Sequence, residues 1–221
     1  MTTTPLPIKA AFHALREYCQ EEGESPTLIK LHKEGASPFQ ILISTLISLR
    51  TKDNITLAAS NRLFAKASTP EKMAQLTEEE ISELIFPAGF YKTKAKQIVE
   101  ISENLWKNFN SVVPSSQSEL LKLPGVGNKT ANLVLNLAFN LKAICVDTHV
   151  HRFSNRAGWV STQSPEETEK ELMKILPEEY WIEANELIVT FGQEVCTPAA
   201  PRCSACMFLS FCPKIGVMTV R

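Results

Sequence analysis

Apolar positions along this chain return at helical spacing. Ile98, Ile101, Leu105 and Phe109 step by three, four and four, which keeps them on one face of a helix. No segment alternates apolar and polar residues strongly enough to predict a strand. Helix-start signals recur between the periodic stretches. Thr69-Pro70 places proline at a first helical position, Thr77 to Glu80 and Ser116 to Glu119 read as capping boxes, and Ser164-Pro165-Glu166-Glu167 combines both devices. These signals predict helices over roughly 8–22, 38–49, 53–67, 70–76, 78–85, 91–109, 116–122, 126–140, 148–158, 165–176 and 180–194. The expected fold is all-α. No internal repeat, low-complexity run or long linker interrupts the pattern, so any division into domains must arise from packing.

Composition narrows the function classes. At 221 residues the chain is long enough to bury a substantial core, as one domain or two modest ones. The longest apolar stretches, such as Ile41 to Leu49, are interrupted by Ser and Thr and are too short to span a bilayer. The opening segment, MTTTPLPIKAAFHALREYCQEEG, has neither a basic region followed by an apolar one nor an Arg-rich, acid-poor character. A soluble cytoplasmic protein with no membrane partner is expected. The 23 Lys and Arg nearly balance the 24 Asp and Glu, so any nucleic-acid face must be local. Locally the charge is uneven. Between Leu120 and Val146 stand Lys122, Lys129 and Lys142 with no acid, whereas residues 166–186 hold eight glutamates against two lysines. A local basic face and ordinary solvated helix surfaces both fit that distribution.

Four of the six cysteines crowd the C-terminal end. Cys196, Cys203, Cys206 and Cys212 have the spacing C-x6-C-x2-C-x5-C, which in a reducing compartment reads as metal ligation before disulfides. Four thiolates this close can enclose zinc or an iron–sulfur cubane, and chemistry alone does not choose. Cys19 and Cys145 stand apart and read as small buried apolar residues.

The segment LPGVGNKTA, Leu123 to Ala131, lies between two helical patterns, and its glycines permit a tight turn between helices. The helix expected to begin near Val126 would present unpaired N–H groups and the positive end of its dipole, a seat for a phosphate oxygen. Lys129 follows one turn later. It can serve as a phosphate contact, or as a nucleophile if its amine sheds its proton, with Leu133, Val134 and Ile144 as possible sources of desolvation. In ICVDTHVHR, Ile144 to Arg152, Asp147 is placed to cap the next helix 18 residues after Lys129. A capping carboxylate fixed in direction can also stabilise positive charge on a departing sugar or move a proton.

LPGVGNKTA followed by VDTHVHR resembles the helix-hairpin-helix DNA glycosylases, and within them the endonuclease III family. PFQILISTLISLRTKD (residues 38–53), GFYKTKA (residues 89–95) and the cysteine spacing extend the resemblance over nearly the whole chain. It implies two helical lobes with a DNA-binding cleft between them. One is a six-helix barrel over residues 31–141 that includes the hairpin at about 116–140. The other joins residues 1–30 to 142–221 and carries a [4Fe-4S] cluster on the four cysteines. It further implies a base-excision-repair glycosylase and AP lyase, in which Lys129 attacks C1′ of a flipped-out nucleotide with Asp147 assisting. Gly125, Val126, Gly127 and Asn128 would hold the DNA backbone, and Arg50 and Phe90 would fill the gap left by the flipped base. Substrates would be oxidised or ring-saturated pyrimidines and abasic sites in double-stranded DNA, bound by a nucleoid-associated monomer.

Two departures from the family pattern stand out. Arg50 takes the place of a commonly quoted glutamine, and a guanidinium donates to guanine's acceptor edge but cannot accept from adenine. In the loop TPAAPR between the first two cysteines only Arg202 is basic, so the phosphate contacts expected there are reduced. Adenine-excising and thymine-mismatch relatives lack the lysine and so fit Lys129 less well. A non-catalytic DNA-binding or redox-sensing module would need only the hairpin and the cluster.

Overall fold

The computed structural model describes residues 4–21, 23 and 25–221. All regular structure among them is helical, as the apolar spacing predicts. In chain order the α-helices are α1 (Ile8–Glu21), α2 (Thr27–Lys33), α3 (Pro38–Ser48), α4 (Asp53–Lys66), α5 (Pro70–Met73), α6 (Glu78–Ile85), α7 (Tyr91–Asn108), α8 (Gln117–Leu120), α9 (Asn128–Phe139), α10 (Thr148–Arg156), α11 (Pro165–Ile175) and α12 (Trp181–Glu194). Short 3-10 turns cover Glu178–Tyr180 and Cys203–Ala205. No helix among the described residues is long and apolar enough to cross a membrane.

Several starts follow from local chemistry. Thr77 accepts the Glu80 N–H while the Glu80 carboxylate accepts the Thr77 N–H, a complete capping box on α6. Ser164 caps α11 by accepting the Glu167 N–H, with Pro165 at the first helical position. Ser116 and Glu119 behave differently from expectation. The Ser116 hydroxyl donates to the Glu119 carboxylate at 2.6 Å, so each side chain takes up the other and neither caps α8. A further capping box, Ser37 with Gln40, opens α3. Helix α2 has no counterpart among the predicted helices. It spans only seven residues, is bounded by Pro26 and a left-handed Gly35, and owes its helicity to burying Leu28, Ile29 and Leu31.

The chain divides into two compact units, Thr27–Leu141 and a second made of the N-terminal residues through Pro26 with Lys142–Arg221. In the first, α3 runs through the middle against α4, α7 and α9, and Phe39, Ile41 to Leu46 and Ile47 are all buried. Each such Leu or Ile contributes about 1.5–3 kcal/mol of burial. Because α3 and α7 are fixed in this core, so are the turns at their ends. In the second unit α10 and α1 pack on α12 around an aromatic core. Phe12 stacks on Tyr180, and Phe153 meets Trp159 edge-on. Phe191 and Phe208 join α12 to the cysteine-bearing segment.

Candidate functional site

The glycine turn sits where the Thr27–Leu141 unit packs α7 beneath it. Gly125 is left-handed (φ 76°), and a Cβ there would fall 2.6 Å from the Gln97 side chain of α7. The Val126 side chain is buried and its N–H donates to the Leu123 carbonyl at 3.2 Å, so that donor is used inside the turn. Gly127 is extended and caps α9 without a side chain, and a Cβ there would meet nothing within 4 Å. Helix α9 therefore begins at Asn128, later than the expected start at Val126. Lys129 consequently lies in its first turn and is exposed. The protein alone does not supply the apolar shell anticipated for Lys129. Gln117 of α8 donates to Asn132 of α9 at 2.7 Å and ties the two arms of the hairpin together.

Arg50 and Phe90 emerge side by side. Arg50 follows the end of α3 and Phe90 precedes α7, both exposed and both left-handed, with φ of 53° and 57°. The Arg50 guanidinium lies 5.5 Å from the centre of the Phe90 ring. Phe90 is 61% exposed, which excludes a place for its ring in the core. Beneath this pair lies Lys94, a residue of GFYKTKA that sequence reasoning passed over. It is only 4% exposed, and burial pushes its ammonium down to about 8.

In the other unit, Asp147 caps α10 as expected. One carboxylate oxygen accepts the N–H groups of His149 (2.8 Å) and Val150 (2.9 Å). The far end of the same helix reaches the cysteine segment. Arg156 donates to Cys196 Sγ at 3.4 Å and to the carbonyls of Thr197 and Pro198, while Arg152 donates to the carbonyls of Cys196 and Gly192. Neither arginine was singled out from sequence, because their partners lie some 40 residues away. Arg202, the loop's basic residue, is exposed, and Ala200 beside it is left-handed (φ 46°).

Cys196, Cys203, Cys206 and Cys212 line one pocket, walled by Phe153, Phe191 and Phe208. Among the described residues no three His, Cys, Asp or Glu side chains converge closely enough to hold a single metal ion. Burial raises the Cys206 thiol to about 11, against the pull of the Phe208 N–H, and the other three cysteines add to the rise. Burial likewise raises Cys212. Two buried thiols that resist ionisation, in a pocket shared with Cys196 and Cys203, fit a cationic centre among them, which would supply the missing positive charge. Cys145 is buried as expected, whereas Cys19 is only half-buried, its thiol 3.8 Å from the Leu187 carbonyl.

Residues 43–178 match the family model described as the HhH-GPD superfamily base excision DNA repair protein. Endonuclease III of Thermotoga maritima is 49% identical over 82% of this chain and 84% of its own length. Endonuclease III homolog 1 of Arabidopsis thaliana is 45% identical over 79% of this chain, which spans only 48% of that longer protein. Among solved structures, that of an endonuclease III trapped as a covalent intermediate with DNA, an estranged-adenine complex, superposes with a TM-score of 0.79. It is 34% identical and covers 95% of this chain and 97% of that one.

Proposed function

Because the chain belongs to the endonuclease III family of HhH-GPD base excision DNA repair proteins, we propose that it excises oxidised or ring-saturated pyrimidines from double-stranded DNA and then cleaves the strand, through Lys129. It is a DNA glycosylase with AP lyase activity. The observation that carries the assignment to Lys129 is its place in the first turn of α9, exposed, directly behind the glycine turn.

A helix leaves its first N–H groups without intrahelical partners and carries a partial positive charge at that end. Gly127, with open space where a side chain would stand, lets a phosphate approach those groups. Gly125, Val126, Gly127 and Asn128 thus form the anchoring turn, in which Val126 contributes shape and its neighbours contribute donors. Bound DNA would cover Lys129 and exclude water from it, supplying the desolvation that the protein alone lacks.

The chemistry follows from an amine held near C1′. The Lys129 nitrogen donates its lone pair to C1′ as the bond from C1′ to the base breaks, and the base departs with that electron pair. Loss of a proton from nitrogen and opening of the sugar ring then give a Schiff base. Removal of a C2′ proton drives β-elimination and breaks the bond to the 3′ phosphate oxygen. We assign Asp147 the stabilisation of positive charge on the sugar as the base leaves. Its orientation is supported by the two N–H groups that hold one of its oxygens. Arg50 and Phe90 fill the space vacated by the flipped nucleotide, the ring against stacked bases and the guanidinium toward the orphaned base. Arg202 contributes a phosphate contact from the cysteine loop.

Cys196, Cys203, Cys206 and Cys212 would hold a [4Fe-4S] cluster, whose contribution is to cross-link this loop-rich segment. Thiols arranged around a pocket suit a group with iron and sulfide atoms of its own. A lone zinc ion needs its thiolates at about 2.3 Å from one point.

Borohydride trapping tests the lysine. Wild-type protein mixed with abasic or lesion-bearing duplex should yield a covalent adduct that is absent with Lys129→Ala. Failure of the wild-type protein to form one sinks the Schiff-base mechanism.

A further inference from the structure

The turns that carry Arg50 and Phe90 are held by one buried cation. Lys94 Nζ donates to the Ile47 carbonyl at 2.7 Å, to the Leu49 carbonyl at 2.6 Å and to Thr51 Oγ1 at 3.0 Å. An ammonium has three N–H donors, and each here has its acceptor. Ile47 and Leu49 belong to the end of α3, where the last carbonyls lack intrahelical partners and the dipole favours a cation. Lys94 itself stands in the first turn of α7, and its own N–H donates to the Phe90 carbonyl at 3.0 Å.

Thr51 completes the connection. Its hydroxyl accepts from Lys94, accepts from the Gly89 N–H at 3.0 Å, and donates to the Leu49 carbonyl at 3.3 Å. With two bonds accepted and one donated, the hydroxyl is fully used. Gly89 precedes Phe90 and Thr51 follows Arg50, so the chain of bonds runs from one turn to the other. An apolar side chain would fill the space of Lys94 without the cost of burying a charge. What the lysine adds is three bonds of fixed direction.

We infer that Lys94 is a positioning residue, a buried clasp that, with Thr51, joins the end of α3 to the start of α7 and sets the spacing of Arg50 and Phe90. This rests on the reading of Arg50 and Phe90 as the pair that enters the opened duplex. Neither could stay in its left-handed conformation at a fixed separation if the turns moved independently. Lys94 touches no substrate. Its effect falls on steps that need the two side chains inserted together.

The test compares two substrates under single-turnover conditions. One is a duplex carrying a ring-saturated pyrimidine, which must be opened and filled, and the other is a single strand carrying an abasic site, which must not. Lys94→Met and Thr51→Val are expected to lose at least about tenfold on the duplex, as misplacement of an ångström does, while staying within about twofold on the single strand. Thr51→Ser, which keeps the hydroxyl, should restore the duplex rate. Equal losses on both substrates, or none on either, overturn the clasp. If Lys94→Met does not fold, the Thr51 pair carries the same comparison with the lysine intact. Arg50→Ala and Phe90→Ala are run alongside. If neither slows duplex excision, the insertion reading has failed and the clasp with it. If both slow it while Lys94→Met and Thr51→Val do not, the clasp alone has failed.

Discussion

A Cβ atom on Gly89 would lie 2.4 Å from the carbonyl oxygen of Arg50, so the two turns meet backbone against backbone. No side-chain rotation relieves such a contact. Gly89→Ala must therefore separate the turns, at a cost of about 1–3 kcal/mol typical of overpacking. Thermal unfolding should show the loss of stability. Excision from duplex should fall by at least about tenfold. An alanine variant with wild-type stability and duplex activity would show that the turns need not touch.

The two glycines of the hairpin should separate in their effects. Gly125 has positive φ and the Gln97 side chain against it, so Gly125→Ala is expected to destabilise the fold. Gly127 has open space and extended φ, and alanine there should fold within about 0.5 kcal/mol of wild type. Its methyl group would nevertheless stand where a phosphate approaches. Weaker duplex binding by a normally stable Gly127→Ala protein, measured by fluorescence anisotropy, is the expected outcome.

Asp147 combines a structural bond pattern with a proposed chemical role, and two substitutions divide them. Asparagine keeps an oxygen for the His149 and Val150 N–H groups, so Asp147→Asn should retain stability. Asp147→Ala should lose about 1 kcal/mol with its cap. Both should lose base excision, because both lose the charge. Full activity in the asparagine variant would leave the residue a helix cap only.

Lys94 also makes stability depend on pH. Its folded value, lowered by burial to about 8, lies below the ordinary 10.5, so between these values the unfolded chain binds more protons. Stability should therefore rise with pH through that window, relative to Lys94→Met. Urea unfolding of both proteins from about pH 7 to about pH 9.5 gives the difference free of other groups. A change of the opposite sign would mean that the three acceptors favour the ammonium more than burial disfavours it.

The cysteine pocket predicts about four irons per chain with visible absorbance, measured on the purified protein. Stoichiometric zinc would reject the cluster. Removing Arg156, which donates to Cys196 Sγ and to two loop carbonyls, should lower iron occupancy while leaving most helical content intact.

Much of this protein is written locally. The spacing of Ile98, Ile101 and Leu105 buries one face of α7, and Thr77 and Ser164 start their helices with side chains a few residues from the groups they cap. LPGVGNKTA dictates its turn because glycine adopts the φ of 76° at residue 125 without strain and leaves room for the Gln97 side chain. The cysteine quartet is legible for the same reason, since its four thiols fall within one short segment and line one pocket.

Tertiary structure decided the rest. Helix α2 exists because it buries apolar residues against α3 and α4, and Ser116 abandons its cap for Glu119. Lys94 reads in sequence as one more cation of a lysine-rich helix start. Only folding brings it to carbonyls more than forty residues away and out of water. Arg152 and Arg156 find the cysteine loop across a similar distance. Periodicity, caps and turns act over one or two helical turns, so the sequence determined them by itself. The clasp under Arg50 and Phe90 depends on which helices become neighbours, and that is set by the packing of the whole core.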